Sequence, residues 1–109
     1  MIYIYIIFSS EAKRYYIGHS QDPWVRLIQH NEKSTEKYTG KFSNWELKAV
    51  FEVSENRGEV MMLENFIKKQ KNKKLLLKLI DPEFVPIGTL EKLVRVPHTR
   101  GPQTPSIRA

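Results

Sequence analysis

Arg14-Tyr15-Tyr16-Ile17-Gly18, followed by Asp22-Pro23 and Arg26, decides how the rest of the chain is read. The aromatic and β-branched run favours a strand. A glycine lets a backbone without Cβ turn sharply. Asp22-Pro23 is a helix start, with a carboxylate at the N-cap and a proline at the first helical position. The stretch therefore reads as a strand that stops at Gly18, turns, and feeds a helix running to about Asn31. Tyr16 is left at the strand end and Arg26 about one turn into the helix, and two polar, chemically capable side chains at such a junction make a site.

Upstream, Ile2, Ile4 and Ile6 alternate with Tyr3, Tyr5 and Ile7, as in a central strand covered on both faces. The polar residues Ser9 to Lys13 suit a turn, so the first two strands form an antiparallel hairpin. On the first helix Trp24, Leu27, Ile28 and Asn31 share one side. Arg26 and His30, one turn apart, are neighbours on the other side, which is read as exposed. Glu32 to Ser43 is polar and reads as a loop.

Downstream, Trp45, Leu47, Ala49, Phe51 and Val53 alternate with Glu46, Lys48, Val50 and Glu52, which predicts a strand with one buried face. Ser54 can cap a second helix, with Glu55 at its positive end. Val60, Leu63 and Ile67 form its apolar stripe, and Glu64 lies directly beside that stripe. Lys68, Lys69, Lys71, Lys73 and Lys74 make a basic run. Leu75, Leu76, Leu77, Leu79 and Ile80 suggest a short third helix packing back on the sheet. From Asp81-Pro82 the chain loses any sustained period. Thr89 to Val96 suits a short helix or a strand, and the tail from His98 reads as disordered. The order β-β-α-β-α-α implies an α+β fold, a small three-stranded antiparallel sheet flanked by helices. Residues 1–80 form the expected domain, and residues 81–109 a Pro-containing, partly disordered C-terminal extension.

Composition narrows the function. The chain has 109 residues and a net charge of +6, with a pI of about 9.6. That balance favours an anionic partner, nucleic acid first and an acidic membrane surface second. The absence of cysteine excludes disulfides, thiol catalysis and Cys-type zinc sites. His19, His30 and His98 are too scattered to suggest a His-rich metal site. The apolar run Met1 to Phe8 is too short to span a bilayer and lacks a basic leader. A cytoplasmic location is the default expectation.

Tyr3-Ile4-Tyr5, then Tyr16-Ile17-Gly18, then Arg26, then Leu63-Glu64-Asn65-Phe66-Ile67-Lys68 resembles, in order and spacing, the GIY-YIG nuclease superfamily. The resemblance covers roughly residues 1–80. It is nearest to the small single-domain bacterial members, which are similar in turn to the N-terminal nuclease domain of the incision subunit of nucleotide excision repair. It implies a DNA endonuclease that uses Mg²⁺ or Mn²⁺ to hydrolyse a phosphodiester bond, with DNA repair as the setting. Tyr5 and Tyr16 match the tyrosines of the two half-motifs, Tyr16 being the general base toward water. Gly18 is the glycine that follows. Arg26 matches the arginine that stabilises the transition state, His30 falls where the family has a tyrosine or histidine, and Glu64 matches the metal-binding carboxylate. His19 stands where the repair enzymes often carry lysine. With Lys68, Lys69 and Lys71 it is the expected contact to nucleic acid. Two features depart from the pattern: Tyr3 replaces the glycine of the first half-motif, and the asparagine that some families carry after the metal helix has no match.

The chemistry is sound without the family. Phosphodiester hydrolysis needs an activated water and neutralisation of developing negative charge. A hard divalent cation prefers oxygen ligands, and one carboxylate suffices if water and phosphate oxygens complete its shell. A tyrosine, with an ordinary pKa of about 10, needs positive charge beside it to act as a base. Arginine offers a planar fork that fits phosphate oxygens. Taken singly, each residue has a plainer reading: the tyrosines as packing groups, Arg26, His30 and the lysines as solvated surface, Glu64 as a salt-bridge partner. The joint order of all of them argues for a site. Two other functions remain open at this point. One is a nucleic-acid-binding module of the same fold that cleaves poorly or not at all, and the other is a small adaptor that docks on a protein.

Overall fold

The computed structural model describes residues 1–32, 44–70 and 73–98. The loop read over Glu32 to Ser43 (beyond Glu32 itself, and short of Asn44), Lys71 and the tail from residue 99 lie outside the described residues. Four strands and three helices are present: β1 (Ile2–Ser9), β2 (Arg14–Ser20), α1 (Pro23–Asn31), β3 (Trp45–Ser54), α2 (Arg57–Lys68), α3 (Lys74–Ile80) and β4 (Val94–Val96), with a 3₁₀ turn at Gly88–Leu90. The sheet is antiparallel throughout, in the order β2-β1-β3-β4. The α+β order is as read from the sequence, and a fourth strand joins the expected three. Residues 89–96 thus hold both a short helical turn and a strand.

The two faces of the sheet have different makeups. One carries Ile2, Ile4, Ile6, Ile17, Ala49 and Phe51, and α2 and α3 cover it with Val60, Leu63, Ile67 and Leu79. Leu90 and Leu93 close the same cluster from the C-terminal segment. The other face, under α1, carries Tyr5, Ile7, Trp45, Leu47 and Val50, with Tyr3, Tyr16, Trp24 and Leu27 packed against them.

β3 does not keep the single buried face that its alternation suggests. Ile6 pairs with Ala49 and Ile7 with Leu47, so Lys48 is an extra residue, a bulge. A one-residue slip sends the following side chains to the opposite face. Trp45 and Leu47 therefore lie under α1, and Ala49 and Phe51 under α2 and α3. The alternation is real on each side of the bulge, and an apolar residue at Val50 lets both faces stay dry.

The helix starts are set locally. Asp22 accepts a hydrogen bond from the Val25 N–H, with Pro23 at the first position of α1. α2 is capped by Asn56, not by Ser54: Asn56 Oδ1 accepts from the Glu59 N–H at 3.1 Å. The Ser54 hydroxyl instead accepts from the Asn56 N–H and donates to Glu59 Oε1, so it ties the turn before the cap. The first residue of β3 is clamped to the end of α1, since Asn31 accepts from the Trp45 N–H at 2.7 Å and donates to its carbonyl at 3.1 Å. β4 is anchored by Arg95, which donates to the carbonyls of Leu79 and Asp81 at the end of α3, 2.8 Å each, and lies over the Phe51 ring.

Candidate active site

The site begins at one cross-strand pair, Tyr5 on β1 opposite Gly18 on β2. The sequence predicts that the strand stops at Gly18, but β2 runs on to Ser20. Its lack of a side chain is needed for room. A Cβ there would sit 2.8 Å from the Tyr5 hydroxyl oxygen, 3.0 Å from its Cζ and 3.2 Å from Tyr16 Cε2, closer than packed carbon atoms approach. Gly18 lets the Tyr5 ring lie across β2, beside Tyr16 on the same face.

Below that ring lies His30. The sequence reading put it on an exposed helix side, but it is 3% exposed, while Ile28, read as inward, is 55% exposed. The buried side of α1 is thus shifted around the helix from the one hydropathy selects. The cause is a specific partner: the Tyr5 hydroxyl and His30 Nε2 are 2.8 Å apart. A buried imidazole with such a partner costs far less than an unpaired one. Aromatic rings surround it, Tyr16 at 5.2 Å and Trp45 at 6.4 Å between centroids. Burial pushes the Tyr5 pKa up to about 12, against the Arg26 guanidinium, which pulls it down by its charge and by a hydrogen bond. Tyr5 thus keeps its proton at neutral pH, and a neutral phenol both donates through that proton and accepts through its oxygen. The imidazole tautomer sets the direction of its bond to His30. Arg26 is half-buried and also holds the Gln29 side chain at 2.7 Å.

The second half of the site comes from the other face. Ile17 faces the aliphatic core, and His19, two residues on along β2, points to that side as well. Its Nδ1 lies 2.5 Å from Glu64 Oε1. The Lys68 ammonium lies 2.6 Å from Glu64 Oε2 and 5.8 Å from the centre of the Tyr16 ring. Glu64 is 8% exposed, so its position at the edge of the apolar stripe is as read from the sequence. A carboxylate so buried requires charge or hydrogen-bond partners, and here each oxygen has one. Lys68 is the link between the halves. It starts on the helix of the aliphatic side, holds the carboxylate, and reaches over the edge of β2 to the tyrosine of the aromatic side. Its pairing with Glu64 at one-turn spacing on α2 was the signal available in the sequence.

Tyr5, Tyr16, Gly18, Arg26 and His30 form one contiguous group, and Glu64, His19 and Lys68 a second that joins it at Tyr16. Lys69 caps the end of α2, where its N–H binds the Asn65 carbonyl, and is exposed. Lys71 is outside the described residues. Trp45, which the sequence reading used only as a core residue, walls both Tyr16 and His30.

Could the site hold a metal ion? Among the described residues no three His, Cys, Asp or Glu side chains group as an all-protein cage would require. Glu64 nonetheless has the right donor chemistry. A carboxylate offers about four lone-pair directions, and His19 and Lys68 take one on each oxygen. Capacity remains for one hard cation whose other ligands are water and substrate oxygens.

The family model of the GIY-YIG catalytic domain matches residues 1–76. No curated protein and no solved structure matches the chain closely. With more than half of its length under that match, the chain belongs to the GIY-YIG family, a family of nucleases that are generally divalent-metal dependent. No helix among the described residues is long and apolar enough to cross a membrane.

Proposed function

We propose that this GIY-YIG domain is an endonuclease that hydrolyses phosphodiester bonds in DNA with Mg²⁺ or Mn²⁺. The observation that carries the reading is the meeting of Tyr16, the Arg26-Tyr5-His30 group and the buried Glu64 across one edge strand. Glu64 would hold the cation, which when bound neutralises negative charge on the phosphate and the leaving oxygen. Tyr16 is the general base that takes a proton from the attacking water. The water oxygen forms the new bond to phosphorus as the bond to the leaving oxygen breaks, and solvent returns a proton to that oxygen. Arg26 binds the charge that builds on the non-bridging oxygens. Tyr5, held in its protonated form and fixed by its hydrogen bond to His30, orients Arg26. In this reading His19 and Lys68, which hold Glu64, also meet phosphate as it enters, and Lys69 and Lys71, which continue the basic run of the sequence, add further backbone contacts. In this reading residues 1–80 carry the chemistry and 81–109 form an extension. The cytoplasm is the default site of action in this reading. A DNA-repair role is the finer proposal, resting on the likeness to the repair nuclease domain.

The direct test is nicking of supercoiled plasmid in Mg²⁺ or Mn²⁺. Tyr16→Phe, Arg26→Ala and Glu64→Gln are each expected to lower the rate by about 10²- to 10³-fold, the scale of losing a general base or a transition-state donor. A Glu64→Gln variant that nicks like the parent removes the metal assignment. Salt-sensitive DNA binding with no metal-dependent product would leave a binding module of the same fold.

A further inference from the structure

A pocket of about 420 Å³ lies at the opposite end of β2 from His19, lined by Lys13, Arg14, Tyr15, Lys73 and Leu76. Its three cations are exposed, and none of them makes an ion pair among the described residues. This sets them apart from Lys48, Lys68 and Lys92, which pair with Glu46, Glu64 and Glu59. No carboxylate lines the pocket. The turn that presents Lys13 is held firmly. The Lys13 N–H binds the Ser9 carbonyl at 2.7 Å, the Ala12 N–H binds the Ser9 hydroxyl at 3.0 Å, and Lys13 takes the left-handed conformation at φ 56°. A non-glycine residue in that region persists only where its surroundings impose it. Tyr15 packs at a tilt against Phe8, ring centroids 4.8 Å apart, and gives the pocket a fixed wall. Three like charges in one concavity repel, and solvent and salt only screen that repulsion. A bound anion would turn it into attraction.

We infer that this pocket is a second phosphate subsite, which takes the nucleic-acid backbone on one side of the scissile bond. The inference rests on the nuclease reading above and extends it to how the substrate lies. β2 is the free edge of the sheet, and Arg14 and Gly18 are on the same strand. At about 3.3 Å per residue they are roughly 13 Å apart, about two phosphate-to-phosphate steps along one strand of a B-form duplex. A backbone that enters the site at Tyr16 and follows the β2 edge therefore reaches Lys13, Arg14 and Lys73 a few nucleotides away. Such contacts are to phosphate and do not read sequence.

The test is DNA binding by the full chain in EDTA, where cleavage cannot intervene. A labelled duplex is titrated by fluorescence anisotropy at several salt concentrations. The slope of log K against log salt reports the phosphates neutralised, about 0.9 per contact. The triple variant Lys13→Gln, Arg14→Gln, Lys73→Gln is expected to lower that slope by about 2 to 3 and to keep the parent's circular dichroism. A Lys48→Gln, Lys92→Gln control, which removes paired lysines, is expected to keep the parent slope. A triple variant with the parent slope, a control with an equal drop, or a parent that does not bind duplex at all would each overturn the subsite. The parent's nicking assay separates the two proposals: if the parent fails to nick plasmid in Mg²⁺ or Mn²⁺ while the triple variant lowers its binding slope as expected, the nuclease reading falls and the pocket stands as a backbone-phosphate subsite of a binding module.

Discussion

The two faces of this sheet solve burial differently. The face under α2 and α3 is aliphatic apart from Phe51, and its residues are interchangeable in kind. The face under α1 is aromatic and contains one fully enclosed polar pair, Tyr5 with His30. Apolar packing is non-directional and supplies stability in proportion to area. A buried hydrogen bond adds little net stability but fixes which atoms meet. The candidate-site group sits where the directional kind of burial is used. The aliphatic side contributes Glu64 at its rim, with His19 and Lys68 bound to its two oxygens. The lesson is that the site borrows rigidity from one face and orientation from the other, with β2 as the seam.

That contrast can be broken from either side. Phe51→Ala, on the aliphatic face, is expected to cost about 3–5 kcal/mol, measured by urea denaturation. Any remaining folded fraction should keep its specific activity. Gly18→Ala should cost about 1–3 kcal/mol through overpacking against the Tyr5 ring. Its activity should fall further than its folded fraction, because the ring it displaces belongs to the site; equal losses would return Gly18 to a purely structural role.

Tyr5→Phe is the smallest and sharpest change. It leaves the His30 Nε2 without its hydroxyl and should cost about 1–2 kcal/mol near neutral pH. Its pH dependence has a definite sign. The folded-state pKa is raised from 10 to about 12, so between those values the unfolded tyrosine loses its proton while the folded one keeps it. The unfolded state is then favoured, and the stability that Tyr5 contributes is fully present below pH 10 and lost as pH rises through 12. The gap between parent and variant should narrow over that window. A constant gap would mean that burial does not hold the ring protonated.

Much of the fold was legible because its signals are local. Asp22-Pro23 starts α1 where the pair predicts, β1 and β2 pair as a hairpin, and Glu64 lies beside the Val60, Leu63 and Ile67 stripe. Features that depend on distant partners were not legible. His30 looks like surface until Tyr5 is brought to it across 25 residues of sequence. The bulge at Lys48 hides inside an alternation that continues on both sides of it. β4, at three residues, is too short for a period to show. Asn56 and Ser54 are equally good caps by type, and only the backbone geometry chooses between them. The candidate residues are selected as a set by their order. The pairing of Lys68 with Glu64 is legible in their one-turn spacing, but its reach to Tyr16 is not, because nothing local to α2 marks a partner on β2.

The segment after α3 has a practical meaning for anyone who would trim this protein. The family match stops at residue 76, yet Leu79, Leu90 and Leu93 are almost wholly enclosed, and Arg95 ties β4 to both α3 and the Phe51 ring. A fragment cut at the family boundary would bare the aliphatic face to water and leave β3 as a second raw edge, open to pairing with other chains. The smallest piece that keeps its own lid runs through Val96.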